Sequence, residues 1–105
     1  MSVQDGQFLT SSGYMIATYP YPFEAVVQGV DETLRDMKAV TNEKHVKIGT
    51  ASIIATLRGE KITFAVEFKD KYKTDVSILV GLSGSNIASQ LIHDRLRQNL
   101  MKTVK

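Results

Sequence analysis

The sequence predicts an α+β fold in which a mostly antiparallel, four-stranded sheet is covered on one face by two helices, in the order β-α-β-β-β-α. Two stretches, residues 61–69 and 75–80, alternate apolar and polar residues with the period of half-buried strands. Residues 22–38 and 86–101 instead repeat apolar residues at helical spacing. Because a hairpin is not stable alone, we expect the helices to cover its apolar face.

Length and composition fit one soluble domain. The chain has 105 residues, 43% of them hydrophobic and 23% charged, and its net charge of +2 is too small to imply a polyanionic partner. We expect residues 1–12 to be a disordered or edge segment and residues 13–105 a single α+β domain. The chain contains no cysteine, which excludes disulfides, thiolate metal sites and a cysteine nucleophile. The sequence predicts no transmembrane segment and no signal peptide.

The first strand and first helix are separated by prolines. Residues 14–19 (YMIATY) are rich in β-favouring residues, and Pro20 and Pro22 end this strand. Pro22 also suits the first turn of the following helix. Gly29 lies inside that helix, where glycine often permits the close approach of another element.

The region from Thr41 to Arg58 allows two interpretations, one long strand with a bulge at Gly49-Thr50 or two short strands. Gly59 then predicts a tight hairpin turn into the strand that begins near Lys61. The predicted core consists of apolar residues on the inner faces of these elements: Ile16, Phe23, Val27, Val30, Leu34, Ile53, Leu57, Ile62, Phe64, Val66, Phe68, Val76, Ile78, Val80, Ile87, Leu91, Ile92 and Leu96.

Two groups of residues are candidate anion sites. The turn that contains Gly81, Ser83, Gly84 and Ser85 leads into the last helix, where free backbone N–H groups can bind an anion. A glycine-assisted, serine-capped turn is the favoured interpretation, because the lysine of a phosphate-binding loop is absent. The second group is a possible basic patch on the hairpin tip and the last helix, which is also typical of a solvated surface: Lys69, Lys71, Lys73, Arg95 and Arg97.

No residue pattern predicts catalysis, a metal or a cofactor. His45 and His93 have no second histidine at metal-ligand spacing. No Ser/His/Asp order stands out, and the nucleophile-elbow motif is absent. We therefore expect a protein that is not an enzyme and needs no cofactor.

Short glycine-marked motifs resemble a known family. They are Gly13-Tyr14-Met15-Ile16-Ala17, Pro22-Phe23-x-x-Val26, Gly59-Glu60-Lys61-Ile62, and Asp75-Val76-Ser77-Ile78-Leu79-Val80-Gly81-x-x-Gly84 with Ser89. Over residues 13–100 the chain is similar to a family of small bacterial envelope lipoproteins classed as a domain of unknown function. This chain has Ser85 where the family commonly has an acidic residue, and it lacks the family's lipid-bearing cysteine. The resemblance implies a fold and an envelope location but no activity.

The leading hypothesis is therefore a non-enzymatic binding or structural module of the cell envelope. Its partner would be another protein or a second copy, bound at the sheet face that the helices leave open. The alternative is an anion- or nucleic-acid-binding module that uses the basic residues. The expected compartment is the envelope or periplasm if a targeting segment has been removed, and the cytoplasm otherwise. Residues expected on the open sheet face are Ile54, Thr63, Ala65, Ser77 and Leu79.

Overall fold

The computed structural model describes residues 9–11, 13–81 and 86–103, with side chains described over residues 13–81 and 87–102. Its elements, in chain order, are β1 (Leu9–Ser11), β2 (Tyr14–Tyr19), α1 (Phe23–Asp36), β3 (Val40–Lys47), β4 (Thr50–Leu57), β5 (Glu60–Asp70), β6 (Lys73–Val80) and α2 (Asn86–Thr103).

The described strands form one sheet in the order β1-β2-β6-β5-β4-β3, and every neighbouring pair is antiparallel. The prediction of four strands was wrong. Apart from the three-residue β1, the order is β-α-β-β-β-β-α, with five longer strands. The α+β class and the antiparallel arrangement agree with the prediction.

The additional strand comes from residues 41–58, which form a hairpin and not one long strand. Lys47 pairs with Thr50, and the two residues between them form the turn. Gly49 has φ +82, in the left-handed region that glycine adopts without a Cβ clash. The sequence left this possibility open, because a glycine between two alternating runs is compatible with either a bulge or a turn.

Both helices lie on the same face of the sheet and pack against each other. Gly29 lies where they pack closely: a Cβ at this position would lie 2.8 Å from Leu100 Cδ2 and 3.1 Å from Leu96 Cδ1. The glycine is therefore what allows the two helices to cross so closely. The inner sheet face and the two helices share one hydrophobic core, which includes Phe64, Ile53, Ile78, Val30 and Leu96.

In two elements, residues predicted for the core lie outside it. In β2 the buried residues are Met15, Ala17 and Tyr19, so Ile16 lies on the opposite face of the sheet. In α2 the predicted core residues Ile87 and Leu91 are 76% and 64% exposed.

The end of β5 differs as well. Phe68 is 48% exposed although its alternation with Val66 predicts burial. It lies two residues from the end of the sheet's longest strand, at a cavity opening lined also by Ile48 and Tyr72.

Candidate functional site

The face of the sheet opposite the helices, here called the outer face, is a candidate binding surface in the described structure. Strand alternation places every second residue of β2, β4, β5 and β6 on it, while the residues between them are buried in the core. The five residues predicted for the open face all lie here, at half-buried or exposed positions. No described element covers this face.

Its centre is uncharged and made of small or aliphatic side chains. Ile54, Thr63 and Leu79 lie side by side on three neighbouring strands. The next row contains Ser52, Ala65, Ser77 and Ile16 on four strands. Small side chains at the centre of such a face let another flat surface approach closely.

Charged and polar groups surround this centre. Thr18 Oγ1 donates a hydrogen bond of 2.6 Å to Asp75 Oδ1 at one end, where Lys69 Nζ also lies 3.3 Å from Glu67 Oε1. At the other side, Thr56 Oγ1 donates a 2.6 Å bond to Asn42 Oδ1. An uncharged centre within a polar rim is the usual arrangement of a protein–protein interface.

A buried hydrogen-bonded pair joins α2 to the sheet on the inner side. Tyr19 Oη lies 2.6 Å from His93 Nδ1, and His93 Nε2 lies 2.9 Å from the carbonyl oxygen of Met15. A carbonyl oxygen only accepts, so Nε2 carries the proton and donates it to Met15. Nδ1 of the neutral ring then accepts a hydrogen bond from the Tyr19 hydroxyl.

Burial strongly perturbs both groups. The pKa of His93 is lowered to about 4, mainly by desolvation; the bond to Met15 opposes this change, the Arg97 charge adds to it and the Asp94 charge opposes it. Desolvation raises the pKa of the Tyr19 phenol well above its usual value. The imidazole is therefore neutral and the phenol protonated at neutral pH, as this hydrogen-bond arrangement requires. Because His93 is fully buried, this pair is closed to a substrate.

A second set of buried polar contacts joins the helices. Asn99 Nδ2 donates a 3.1 Å bond to Thr33 Oγ1, and that hydroxyl donates a 2.7 Å bond to the carbonyl oxygen of Gly29. Every buried side-chain nitrogen or oxygen within the described residues has a hydrogen-bond partner. These polar groups therefore fix the position of α2, and in the part of the chain that the structure describes no buried polar atom is left unpaired for a ligand.

A groove of about 610 Å³ lies between α2 and the β4–β5 turn. Its floor is aliphatic, with Leu57, Ile62 and Ile92 among its lining residues. Arg58 and Arg95 also line the groove, and so do two carboxylates. The charges of these four groups balance, so the groove has no net preference for an ion of either sign.

The structure does not bring the predicted basic residues into one patch. Lys71 lines a cavity beside Pro22 and Ile48 at one end of the sheet, whereas Arg95 lines the groove at the opposite end of β5. β5 has eleven residues, so these ends are about 30 Å apart.

Two of the five basic residues also lie within ion-pair distance of a carboxylate. Lys69 lies near Glu67, as described above, and Arg97 Nη1 lies 3.7 Å from Asp94 Oδ1. In the predicted anion-binding turn, Gly81 has φ +75, and Ser83, Gly84 and Ser85 lie outside the described residues.

Sequence reasoning missed the role of His93 and Tyr19. The sequence patterns predict only the elements of these residues, a helix for His93 and the end of a strand for Tyr19. The available signal was the spacing of Ser89, His93, Leu96 and Leu100, which places polar and apolar residues on one helix face. This face is missed when the buried face of the helix is predicted from apolar residues alone.

Among the described residues, no three acidic or histidine side chains are grouped as a metal ion would require, and neither helix is long and apolar enough to cross a membrane. A sequence model of the family described as "Protein of unknown function (DUF3568)" matches residues 1–99. No curated protein matches the chain.

Proposed function

The chain belongs to this family of unknown function, and we propose that it acts as a non-enzymatic binding or structural module of the bacterial cell envelope. The observation that carries the proposal is the uncovered outer face, with its uncharged centre and polar rim. The envelope location is supported by the resemblance of its glycine-marked motifs to small envelope lipoproteins. A cytoplasmic location is the alternative.

The partner that this surface fits is another protein, of which a second copy is the simplest case. Strands of about eight residues on five neighbouring positions give a face of roughly 26 by 19 Å. Two such faces would bury roughly 1,000 Å² in total, at the lower limit of specific interfaces. We therefore expect weak, concentration-dependent association through the outer face.

The proposal that catalysis is absent is supported by the position of the strongly perturbed titrating groups. Among the described residues these are Tyr19 and His93, which bond to each other inside the core. A catalytic acid or base must reach its substrate, and neither group does.

Substitution at the centre of the outer face tests the proposal. Ala65 is exposed and lies between Ser52 and Ser77 in the row across the sheet. Ala65→Arg should leave the thermal unfolding midpoint nearly unchanged, because the new side chain extends into solvent. In sedimentation equilibrium it should abolish association through this face, since a guanidinium would be buried unpaired at the interface centre.

The matched control is Gln90→Arg, which adds the same charge at an exposed position on α2, on the other side of the molecule. It should associate like the wild type. If the wild-type protein shows no association through this face at millimolar concentration, or if both variants behave alike, a second copy is not the partner of the outer face.

A further inference from the structure

The free edge of β3 is a second uncovered surface, separate from the outer face. All eight residues of β3 are exposed, because the strand extends the sheet past the cover of the helices. One side of β3 pairs with β4, and in the part of the chain that the structure describes no strand pairs with the other side. Unpaired N–H and C=O groups along a strand edge are a template for another strand.

We propose that β3 pairs antiparallel with β3 of a second copy, with His45 facing His45 across a twofold axis, which joins two sheets into one continuous sheet. The inference goes beyond the proposed function, because it concerns the edge of the sheet and not its outer face.

Backbone geometry limits which residues of β3 meet. Lys47 and Thr50 flank a two-residue turn, so they exchange both backbone hydrogen bonds. Because bonding direction alternates along a strand, Glu43 and His45 also bond to β4, whereas Lys44 and Val46 direct their N–H and C=O groups to the free edge. In a twofold pairing, Lys44 or Val46 of one copy must therefore lie opposite Lys44 or Val46 of the other copy.

Charge selects one of the registers that remain. With the axis at Lys44, two lysines face each other, and with the axis at Val46, Lys47 faces His45. With the axis at His45, each Glu43 faces Lys47 of the other copy, and each Lys44 faces Val46. Directly opposed, oppositely charged residues stabilise strand pairing, whereas opposed like charges destabilise it. Of these three registers, only the pairing about His45 places opposite charges together at two positions.

Two features that protect many edge strands, a bulge and a lysine charge, do not block the pairing of residues 43–47. The bulge lies between Thr41 and Glu43, so residues 43–47 keep a regular register with β4. Lys44, whose charge would discourage pairing, forms an ion pair with Asp31 of α1. Its ammonium therefore lies over the helix and not across the edge.

Engineered cysteines test the register directly, because the native chain contains no cysteine. Opposed residues that do not exchange hydrogen bonds have Cα atoms about 4.5 Å apart, which is within the range of a disulfide. His45→Cys should therefore form a covalent dimer under mild oxidation with glutathione disulfide, at protein concentrations on the order of 100 μM. The readout is non-reducing electrophoresis over time.

Ser52→Cys is the matched control. Ser52 pairs with His45 in the sheet, projects from the same face and is also exposed, but it lies one strand inward. In the proposed dimer two such cysteines would be about 15 Å apart, too far for a disulfide. Equal cross-linking of both variants, or none of His45→Cys, would overturn the proposal. Cross-linking of Ser52→Cys alone would instead indicate pairing through the outer face.

Charge exchange supplies an independent test of the same register. Glu43→Lys and Lys47→Glu each place like charges opposite each other at two positions, so each should weaken dimerisation about tenfold in sedimentation equilibrium. The double variant Glu43→Lys/Lys47→Glu should return to within about twofold of the wild type. A double variant no better than the single variants would contradict the proposal. Both positions are exposed, and thermal unfolding will verify that each variant is folded.

The two self-association surfaces remain distinguishable. Ala65→Arg changes the centre of the outer face without altering the edge, and the charge exchange changes the edge strand without altering that centre. Association that survives Ala65→Arg but is lost in Glu43→Lys supports the β3 pairing while removing the outer-face dimer. Association that is lost in Ala65→Arg but survives in Glu43→Lys supports the outer-face dimer and overturns the inference about β3.

Discussion

At the scale of single residues, the most constrained position is His93. It is fully buried, its two ring nitrogens have defined hydrogen-bond roles, and its neighbours lie on β2. Charged groups near it are Arg97 and Asp94 on its own helix. A histidine in this setting connects α2 to the sheet. Its burial lowers the free energy of unfolding only at a pH where the unfolded histidine binds a proton.

This effect of burial predicts a pH dependence of stability. The pKa of His93 is about 4 in the folded protein and about 6.5 in the unfolded chain. Between these values the unfolded state binds a proton that the folded state does not, so the free energy of unfolding decreases as the pH falls through this window. The full loss is about 3 kcal/mol, and His93 contributes no further loss below pH 4.

Urea unfolding at several pH values between 7.5 and 4 measures this effect. His93→Gln should be less stable at pH 7.5 but should lose less stability on acidification, because glutamine does not titrate. His45→Gln, at an exposed histidine, should keep the wild-type slope. Equal slopes in all three proteins would show that His93 does not drive the acid sensitivity.

At the scale of elements, the sequence predicted β5 and β6 well and β3 poorly, for a physical reason. Alternation reports which face of a strand is buried, and β5 has a strongly apolar inner face. β3 is exposed on both faces, so most of its residues do not alternate between apolar and polar. Only the glycine of its hairpin turn indicates the strand. The buried face of α2 was also predicted poorly, because three of its buried residues are polar: Ser89, His93 and Asn99.

Two phenylalanines of β5 provide a matched test of element packing. Phe64 is completely buried, and Phe64→Ala should destabilise the fold by about 3–5 kcal/mol through lost contacts and a residual cavity. Phe68→Ala, the same change at a half-exposed position in the same strand, should cost about 1 kcal/mol. Urea unfolding measures both. Similar losses for the two variants would contradict the inner-face assignment of β5.

The crossing of α1 and α2 at Gly29 makes a separate prediction. Gly29→Val introduces atoms where Leu96 and Leu100 already lie within 2.8–3.2 Å of the Cβ position. Although valine is the better helix former, forced separation of the helices should give a net loss of about 1–3 kcal/mol. Gln28→Val, at the exposed neighbouring position, adds the same side chain and should change stability by less than about 0.5 kcal/mol. A stabilised Gly29→Val protein would mean that the helices do not touch there.

At the scale of the whole molecule, the sheet is graded from a covered interior to an open edge. β5 pairs with strands on both sides and packs beneath the helices, whereas β3 pairs on one side and is exposed on both faces. The sequence predicted the covered part of the molecule because burial constrains its residue types. The uncovered surfaces were harder to predict: the outer-face residues were placed correctly, but the edge depends on strand order, which no local pattern encodes.

This gradient predicts a specific pattern of amide hydrogen exchange in the dilute protein. Amides of residues 62–67 in β5 should be the most protected, since exposing them requires opening the sheet on both sides. Along β3 protection should alternate: the amides of Glu43 and His45 bond to β4, whereas those of Lys44 and Val46 face the free edge. Residue-resolved exchange by nuclear magnetic resonance measures each amide separately.

Raising the protein concentration then tests the edge within the same experiment. If a second β3 binds there, the amides of Lys44 and Val46 should gain protection together, while those of Glu43 and His45 change little because they are already bonded. Ala65→Arg should show the same gain, whereas Glu43→Lys should require about tenfold more protein to reach it. Protection that stays alternating at every concentration would show that the edge remains unpaired, and uniform protection in the dilute protein would show that it is already covered.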